Sequence, residues 1–157
     1  MLRFEQVMKG YCNRPEATDE TITTDGWLRT GDAALADADG FVFLQDRVKD
    51  MIITGGQNVY PVEVENALLG HPAIADVAVI GVPDERWGEA VKAIVVRKPG
   101  ADAEPEEIIA FARERIAHFK TPSSVDFADA LPRNPSGKVL KRELREPYWA
   151  GMTRRIN

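Results

Sequence analysis

The chain has 157 residues, room for one ordinary domain or for one compact domain with a tail, and its 44% hydrophobic and 29% charged composition is globular. Twenty Lys+Arg against 25 Asp+Glu give a net charge of −5, which argues against broad electrostatic binding to nucleic acid. One cysteine, Cys12, excludes an internal disulfide framework, His71 and His118 lie too far apart for the usual zinc spacings, and no apolar run nears the ~20 residues that span a bilayer.

Residues 1–26 are polar and turn-rich, and Met1 to Gly10 does not read as a signal peptide, which points to a soluble cytoplasmic protein. Two short strands are predicted next, at 27–29 and 41–45, around the turn Asp37-Ala38-Asp39-Gly40. A hairpin with so few partners is marginal alone and needs something to pack on. From Val48 onward the pattern is that of a self-sufficient α+β domain. Residues 50–53 read as a strand, Gly55-Gly56-Gln57-Asn58 as a tight loop and Val59-Tyr60 as a returning strand. Pro61 suits the first position of a helix over 62–69, which Gly70-His71-Pro72 ends. Strands at 76–82 and 90–97 flank a polar loop at 83–88. Pro105 opens a second helix with Glu106 and Glu107 in its first turn, and Ile108, Ala112, Ile116 and Phe119 fall on one face. A strand at 124–128, a loop at 132–137 and a short helix at 139–145 complete the chain.

Two segments stand out chemically. Gly55-Gly56 follows the apolar Met51-Ile52-Ile53. It reads either as a hairpin turn that needs positive φ, or as bare backbone past which an extended ligand slides. Neither phosphate-loop template, G-x-G-x-x-G or G-x-x-x-x-G-K-[ST], occurs. The second segment is Pro132-Arg133-Asn134-Pro135-Ser136-Gly137-Lys138. A lysine on a Gly-flanked loop carries a compact charge to a carboxylate or phosphate, or is a solvated surface lysine. Lys138, Lys141, Arg142 and Arg145 form a basic cluster that reads as a phosphate patch or as helix C-terminal charges. Asp32 offers two acceptor oxygens to a sugar diol, or is a turn residue after Gly31. Arg47 pairs with such a group or phosphate, or with Asp46 or Asp50 at the surface. His71 and His118 read as helix-end residues, and Trp87 and Trp149 as packing or surface aromatics.

Taken in order, four segments resemble the C-terminal part of an adenylate-forming enzyme of the acyl-CoA synthetase class. They are GWLRTGD (26–32), DRVKDMIITGGQNVYPVEVE (46–65), HFKTP (118–122) and LPRNPSGKVLK (131–141). VMKGY (7–11) and NRPEAT (13–18) are similar to the stretch that precedes them in that family.

The resemblance implies an α+β fold, a short antiparallel sheet flanked by helices, preceded by a β-rich remnant of a larger N-terminal domain. Residues 1–48 would be that remnant, 49–147 the mobile C-terminal domain and 148–157 a tail. Enzymes of this class convert a carboxylate and ATP to an acyl-adenylate, then pass the acyl group to a thiol such as coenzyme A. By the same resemblance Lys138 is the catalytic lysine of adenylation, Asp32 and Arg47 bind the nucleotide ribose, and Lys49 is the hinge. Thr54, Gly55, Gly56, Gln57 and Asn58 would line the thiol channel, and Lys120 would contact the coenzyme A phosphates. Thr121 and Ser123 lie where some relatives place basic residues for that contact. Lys49 stands where several relatives have Asp.

The family's Ser/Thr/Gly-rich phosphate loop and its Tyr-Gly-x-Thr-Glu segment do not occur in this sequence. ATP or AMP and coenzyme A are therefore expected as ligands of an intact enzyme, with Mg2+ held only through the larger domain and no metal site here. The chain alone is expected to be inactive. The wording Gly55-Gly56-Gln57-Asn58-Val59-Tyr60-Pro61 is similar to fatty-acid-type relatives. The rival expectation is a non-catalytic docking module, pairing with a separately encoded larger domain or forming a homo-oligomer through the surface that domain would cover.

Overall fold

The computed structural model describes residues 1–152. The described chain forms two compact units, Met1–Val48 and the part from Lys49 onward.

The first unit is small and open. Helix α1 (Pro15–Thr21) starts with proline at its first turn, where the absent N–H is no loss, and Thr18 donates its hydroxyl back to the Arg14 carbonyl. Strands β1 (Asp32–Ala36) and β2 (Val42–Arg47) form an antiparallel hairpin with Asp32 opposite Arg47. Asp37 closes its turn by accepting the N–H groups of Asp39 and Phe41 at 3.0 and 2.9 Å. The strand expected at 27–29 is absent. Only Leu28 makes isolated bridges, to Leu2 and Ile22, and Gly31 at φ 75° turns the chain so that the strand starts at Asp32. None of residues 1–48 is buried. Phe41, Val42, Phe43 and Leu44 all lie more than half in solvent.

The second unit is built on a five-stranded sheet of β3 (Ile52–Thr54), β4 (Gln57–Val59), β5 (Ile74–Asp84), β6 (Gly88–Arg97) and β7 (Ser124–Phe127). Strand β5 pairs antiparallel along one edge of β6. The other edge is shared: β3 meets it at Thr54 opposite Gly88, and β7 runs parallel to it from Lys92 to Val95. Apolar residues alternate between two buried faces, which is why β5 and β6 read as nearly continuous hydrophobic runs. One face, with Val77, Val79, Val91, Ala93 and Val95, packs on α2 (Pro61–Leu69) and α3 (Pro105–Arg113) through Val64, Leu68, Ile108 and Ala112. The other, with Ala78, Ile80, Val82 and Ile94, packs on Leu131, Val139 and the Leu144 and Tyr148 side chains of α4 (Lys141–Trp149).

Helix α3 begins with a reciprocal capping box between Glu104 and Glu107. It ends at Arg113, so Phe119 does not lie on it as the periodicity suggested. Phe119 falls in a 3-10 turn, His118–Lys120, and is 42% exposed. Helix α4 starts two residues later than expected and runs to Trp149, whose indole N–H donates to the Gly81 carbonyl at 3.0 Å. The expected tail, 148–157, thus begins inside a helix, and its residues 153–157 lie outside the described residues. Among the described residues no helix is long and apolar enough to cross a membrane.

Candidate functional site

In the first unit, Asp32 begins β1 and Arg47 ends β2, so they face each other in register at the open end of the hairpin, which brings two sequence candidates together. The Arg47 Nε lies 3.2 Å from Asp32 Oδ1, with side chains 50% and 32% exposed. Arg47 also donates to the Thr30 carbonyl at 3.4 Å, and the Asp32 N–H donates to the Thr30 hydroxyl at 3.2 Å. The ion pair orients the carboxylate, whose second oxygen has no partner among the described residues.

In the second unit, Thr54 and Gln57 close a two-residue hairpin over Gly55 and Gly56, at φ 55° and 78°. Two positive φ values are what such a turn demands. Gln57 and Asn58, expected in the loop, are strand residues of β4. The two glycines differ. A Cβ on Gly55 would sit 2.7 Å from Trp87 Cε3, whereas one on Gly56 meets nothing within 4 Å. Gly55 N–H also donates to the Trp87 carbonyl at 3.0 Å.

A cleft of about 480 Å³ opens beside this turn. It follows from the sheet: β3 and β7 leave a gap between them on the β6 edge, and Ala90 and Val91 floor it. Ser123 closes the far end, donating its N–H and hydroxyl to the Val91 carbonyl at 2.8 and 3.0 Å. Trp87 and Phe119, 49% and 42% exposed, stand on its wall. Asp84 holds the Trp87 turn by accepting the N–H groups of Arg86 and Trp87, and the Arg86 guanidinium covers the Trp87 ring at 4.5 Å. Arg113 and His118 also line the cleft. Arg113 is exposed and makes no ion pair with any described residue. The sequence reads Trp87 as a packing or surface aromatic and His118 as a helix-end residue, and nothing local marks them otherwise. Glu89, 9% exposed, buttresses the turn from behind by accepting the Ile53 N–H at 3.1 Å.

Lys120 is not among the residues that line the cleft. Its ammonium contacts both oxygens of Glu63 on α2 at 2.7 Å and is 22% exposed. The expected basic cluster is dispersed in the same way. Lys141 pairs with Glu65 at 2.7 Å, and Glu65 also accepts the Val79 N–H at 2.8 Å. Arg145 pairs with Asp50 at 2.8 Å. Lys138 is exposed, and its ammonium has no partner among the described residues. Lys49 lies in a 3-10 turn, Val48–Asp50, as the first residue of the second unit.

Behind the sheet, Lys92 reaches Asp126 at 2.8 Å, and Tyr148 donates its hydroxyl to the same carboxylate. The hydrogen bonds from Lys92 and then Tyr148 hold the Asp126 carboxyl below its ordinary range. Burial, followed by the Asp126 hydrogen bond and charge, pushes the Tyr148 hydroxyl up to about 12. Among the described residues no group of three or more His, Cys, Asp or Glu side chains is placed to hold a metal ion.

A family model described as the AMP-binding enzyme C-terminal domain matches residues 63–138. The chain is 49% identical over 150 residues to a fatty acid–[acyl-carrier-protein] ligase, ScoC, of Streptomyces coeruleorubidus, covering 96% of this chain and 29% of that protein. It is 56% identical over 146 residues to a 3-[(3aS,4S,7aS)-7a-methyl-1,5-dioxo-octahydro-1H-inden-4-yl]propanoyl:CoA ligase of Rhodococcus jostii (strain RHA1), covering 93% and 28%. Among solved structures, ATP-bound MatB from Rhodopseudomonas palustris superposes with a TM-score of 0.85 at 43% identity, over 92% of this chain and 29% of that one. The chain thus spans under a third of the length of the curated relatives it matches.

Proposed function

The chain belongs to the AMP-binding enzyme C-terminal domain family and is the C-terminal part of an adenylate-forming enzyme; from that premise we propose that it serves an ATP-dependent acyl-CoA synthetase acting on a fatty-acid-type carboxylate. The observation that carries this reading is the contrast among lysines. Lys92, Lys120 and Lys141 are each held by a carboxylate, whereas the ammonium of Lys138, on its Gly-flanked loop, has no partner among the described residues, a condition it shares with Lys98.

Two half-reactions follow. In the first, a substrate carboxylate oxygen attacks the α-phosphorus of ATP, the bond to pyrophosphate breaks, and an acyl-adenylate forms. Lys138 draws the carboxylate and an α-phosphate oxygen together and offsets the charge that builds there. Asp32, steadied by Arg47, accepts hydrogen bonds from the ribose hydroxyls. The remainder of the enzyme meets the triphosphate, the adenine and the carboxylate's tail. In the second, a thiol sulfur attacks the acyl carbonyl, the bond to AMP breaks, and the thiol proton leaves to solvent. The second unit pivots at Lys49 between the two, withdrawing Lys138 and bringing up the Gly55-Gly56 turn.

The cleft supports coenzyme A as the thiol. Its bare Gly55 backbone and apolar floor suit a pantetheine arm, Trp87 and Phe119 offer faces for a base, and Arg113 offers a phosphate contact that Lys120 does not. The ScoC relative transfers to a carrier protein by name, and the pantetheine arm is common to both acceptors.

The test joins the chain to the N-terminal part of such an enzyme, in its own polypeptide or fused from a relative. Lys138→Ala is expected to abolish pyrophosphate release while leaving thioester formation from supplied acyl-adenylate intact. Full adenylation by Lys138→Ala, or ligation by the 157-residue chain alone, overturns the reading.

A further inference from the structure

The Lys138 ammonium has no partner among the described residues, but its backbone is held. Asn134 holds both of its main-chain polar groups: the Lys138 N–H donates to Asn134 Oδ1 at 2.9 Å, and the Asn134 N–H donates to the Lys138 carbonyl at 2.9 Å. The same Oδ1 accepts the Ser136 N–H at 3.1 Å and the Ser136 hydroxyl at 2.8 Å, and the Gly137 N–H donates to the Asn134 carbonyl at 2.9 Å. One side-chain oxygen therefore gathers three donors of a loop that has no apolar interior of its own. Arg133 ties that loop to the sheet. Its guanidinium donates to the Gly137 carbonyl at 2.6 Å and contacts the Asp76 carboxylate of β5 at 2.5 Å. Asp76 is itself oriented, because its other oxygen accepts the Val77 N–H at 3.0 Å.

We propose that Asn134 and Arg133 are positioning residues for Lys138: Asn134 fixes the lysine's backbone, and Arg133 references it to β5 through Asp76. This rests on the adenylation role assigned to Lys138 above. A lysine side chain has four rotatable bonds, so its reach is defined only if its Cα is. A misplacement of about 1 Å in a positioned group costs on the order of 10²-fold in rate. Gly137 at φ 82° gives the loop the reversal that lets Asn134 meet both sides of Lys138. The loop is largely exposed, with Ser136, Gly137 and Lys138 all in solvent. Loosening it alters the geometry of the lysine without opening the core, which separates positioning from mere support of the fold.

The experiment uses the chain joined to the N-terminal part of the enzyme and measures the half-reactions separately. Asn134→Ala is expected to slow pyrophosphate release at saturating ATP and acid by 10- to 50-fold and to change either KM by less than twofold. Thioester formation from supplied acyl-adenylate, which does not use Lys138, stays at the wild-type rate. Asn134→Asp keeps the acceptor oxygen and is expected to retain adenylation within threefold, and Arg133→Ala to fall between the two. Adenylation by Asn134→Ala within twofold of wild type, while Lys138→Ala is inactive, overturns the positioning role and leaves the Lys138 assignment standing. Equal loss of both half-reactions in Asn134→Ala and Asn134→Asp also overturns it, because that marks a structural role. Normal adenylation by Lys138→Ala removes the assignment itself and the proposal with it.

Discussion

Arg145 and Asp50, ninety-five residues apart in the chain, meet at 2.8 Å with both side chains under 15% exposed. Asp50 belongs to the turn at the start of the second unit, and Arg145 to the helix that follows the Lys138 loop. The pair therefore fixes the lysine-bearing end of the domain to the residue beside the proposed pivot. Breaking it leaves a charge desolvated and alone. Arg145→Leu is expected to cost about 3 kcal/mol in urea unfolding of the chain. The double variant with Asp50→Asn should recover part of that loss, and additive single effects would show that the two charges do not couple.

Gly55 and Gly56 should respond unequally to alanine. Both substitutions incur left-handed backbone strain of about 1 kcal/mol. Only Gly55→Ala also drives a methyl into Trp87, at 2.7 Å from Cε3, which adds about 2 kcal/mol of overpacking. Thermal unfolding of the two variants checks the order. In the joined enzyme Gly55→Ala should raise the KM for coenzyme A, because the displaced Trp87 stands on the cleft wall.

Arg113 and Lys120 make opposite predictions for coenzyme A. Losing one charge-assisted contact of about 1.4 kcal/mol corresponds to a tenfold change in affinity. Arg113→Ala is expected to raise the KM for coenzyme A about tenfold and leave pyrophosphate release unchanged. Lys120→Ala removes the Glu63 ion pair and should leave that KM within twofold. Steady-state kinetics with coenzyme A and with pantetheine, which lacks the nucleotide, checks both: the Arg113 effect should vanish with pantetheine.

Tyr148 gives the domain an alkaline limit. Its hydroxyl titrates near 10 when unfolded and about 12 when folded, raised by burial and by Asp126, so the protonated form is favoured by folding. Its contribution is whole below pH 10 and is lost as pH rises through about 12. Asp126 works at the other end. Its folded carboxyl lies below the ordinary 3.8, so its contribution is whole above that value and is lost as pH falls through the lowered one. Denaturation midpoints of the wild type and Tyr148→Phe across pH 9 to 12 should converge at the alkaline end; parallel curves would count against this account.

Much of the second unit was legible from sequence because its signals are local. Pro61 and Pro105 mark helix starts, and Val77 to Val82 and Ala90 to Arg97 announce strands buried on both faces. Strand β1 was not legible, since Asp32-Ala33-Ala34-Leu35-Ala36 carries little strand preference and is held by its partner across the hairpin. The cleft was invisible for a different reason. It exists because two strands share one edge of β6, and its walls come from Trp87 and the 118–123 segment, whose individual roles depend on that pairing. The Lys120 ion pair was not legible either, because its partner, Glu63, lies 57 residues away.

Glu65 has a consequence beyond its ion pair with Lys141. The Val79 N–H it accepts belongs to β5, whose other side is already paired with β6, so the carboxylate occupies a main-chain donor on the sheet's outer margin. An open strand margin invites pairing with another chain, and a charged group seated on it discourages that templating. A short helix carboxylate thus guards a valine-rich strand against polymerisation. Glu65→Ala should reveal this as concentration-dependent thioflavin-positive aggregate during long incubation, under conditions where the native protein stays dispersed.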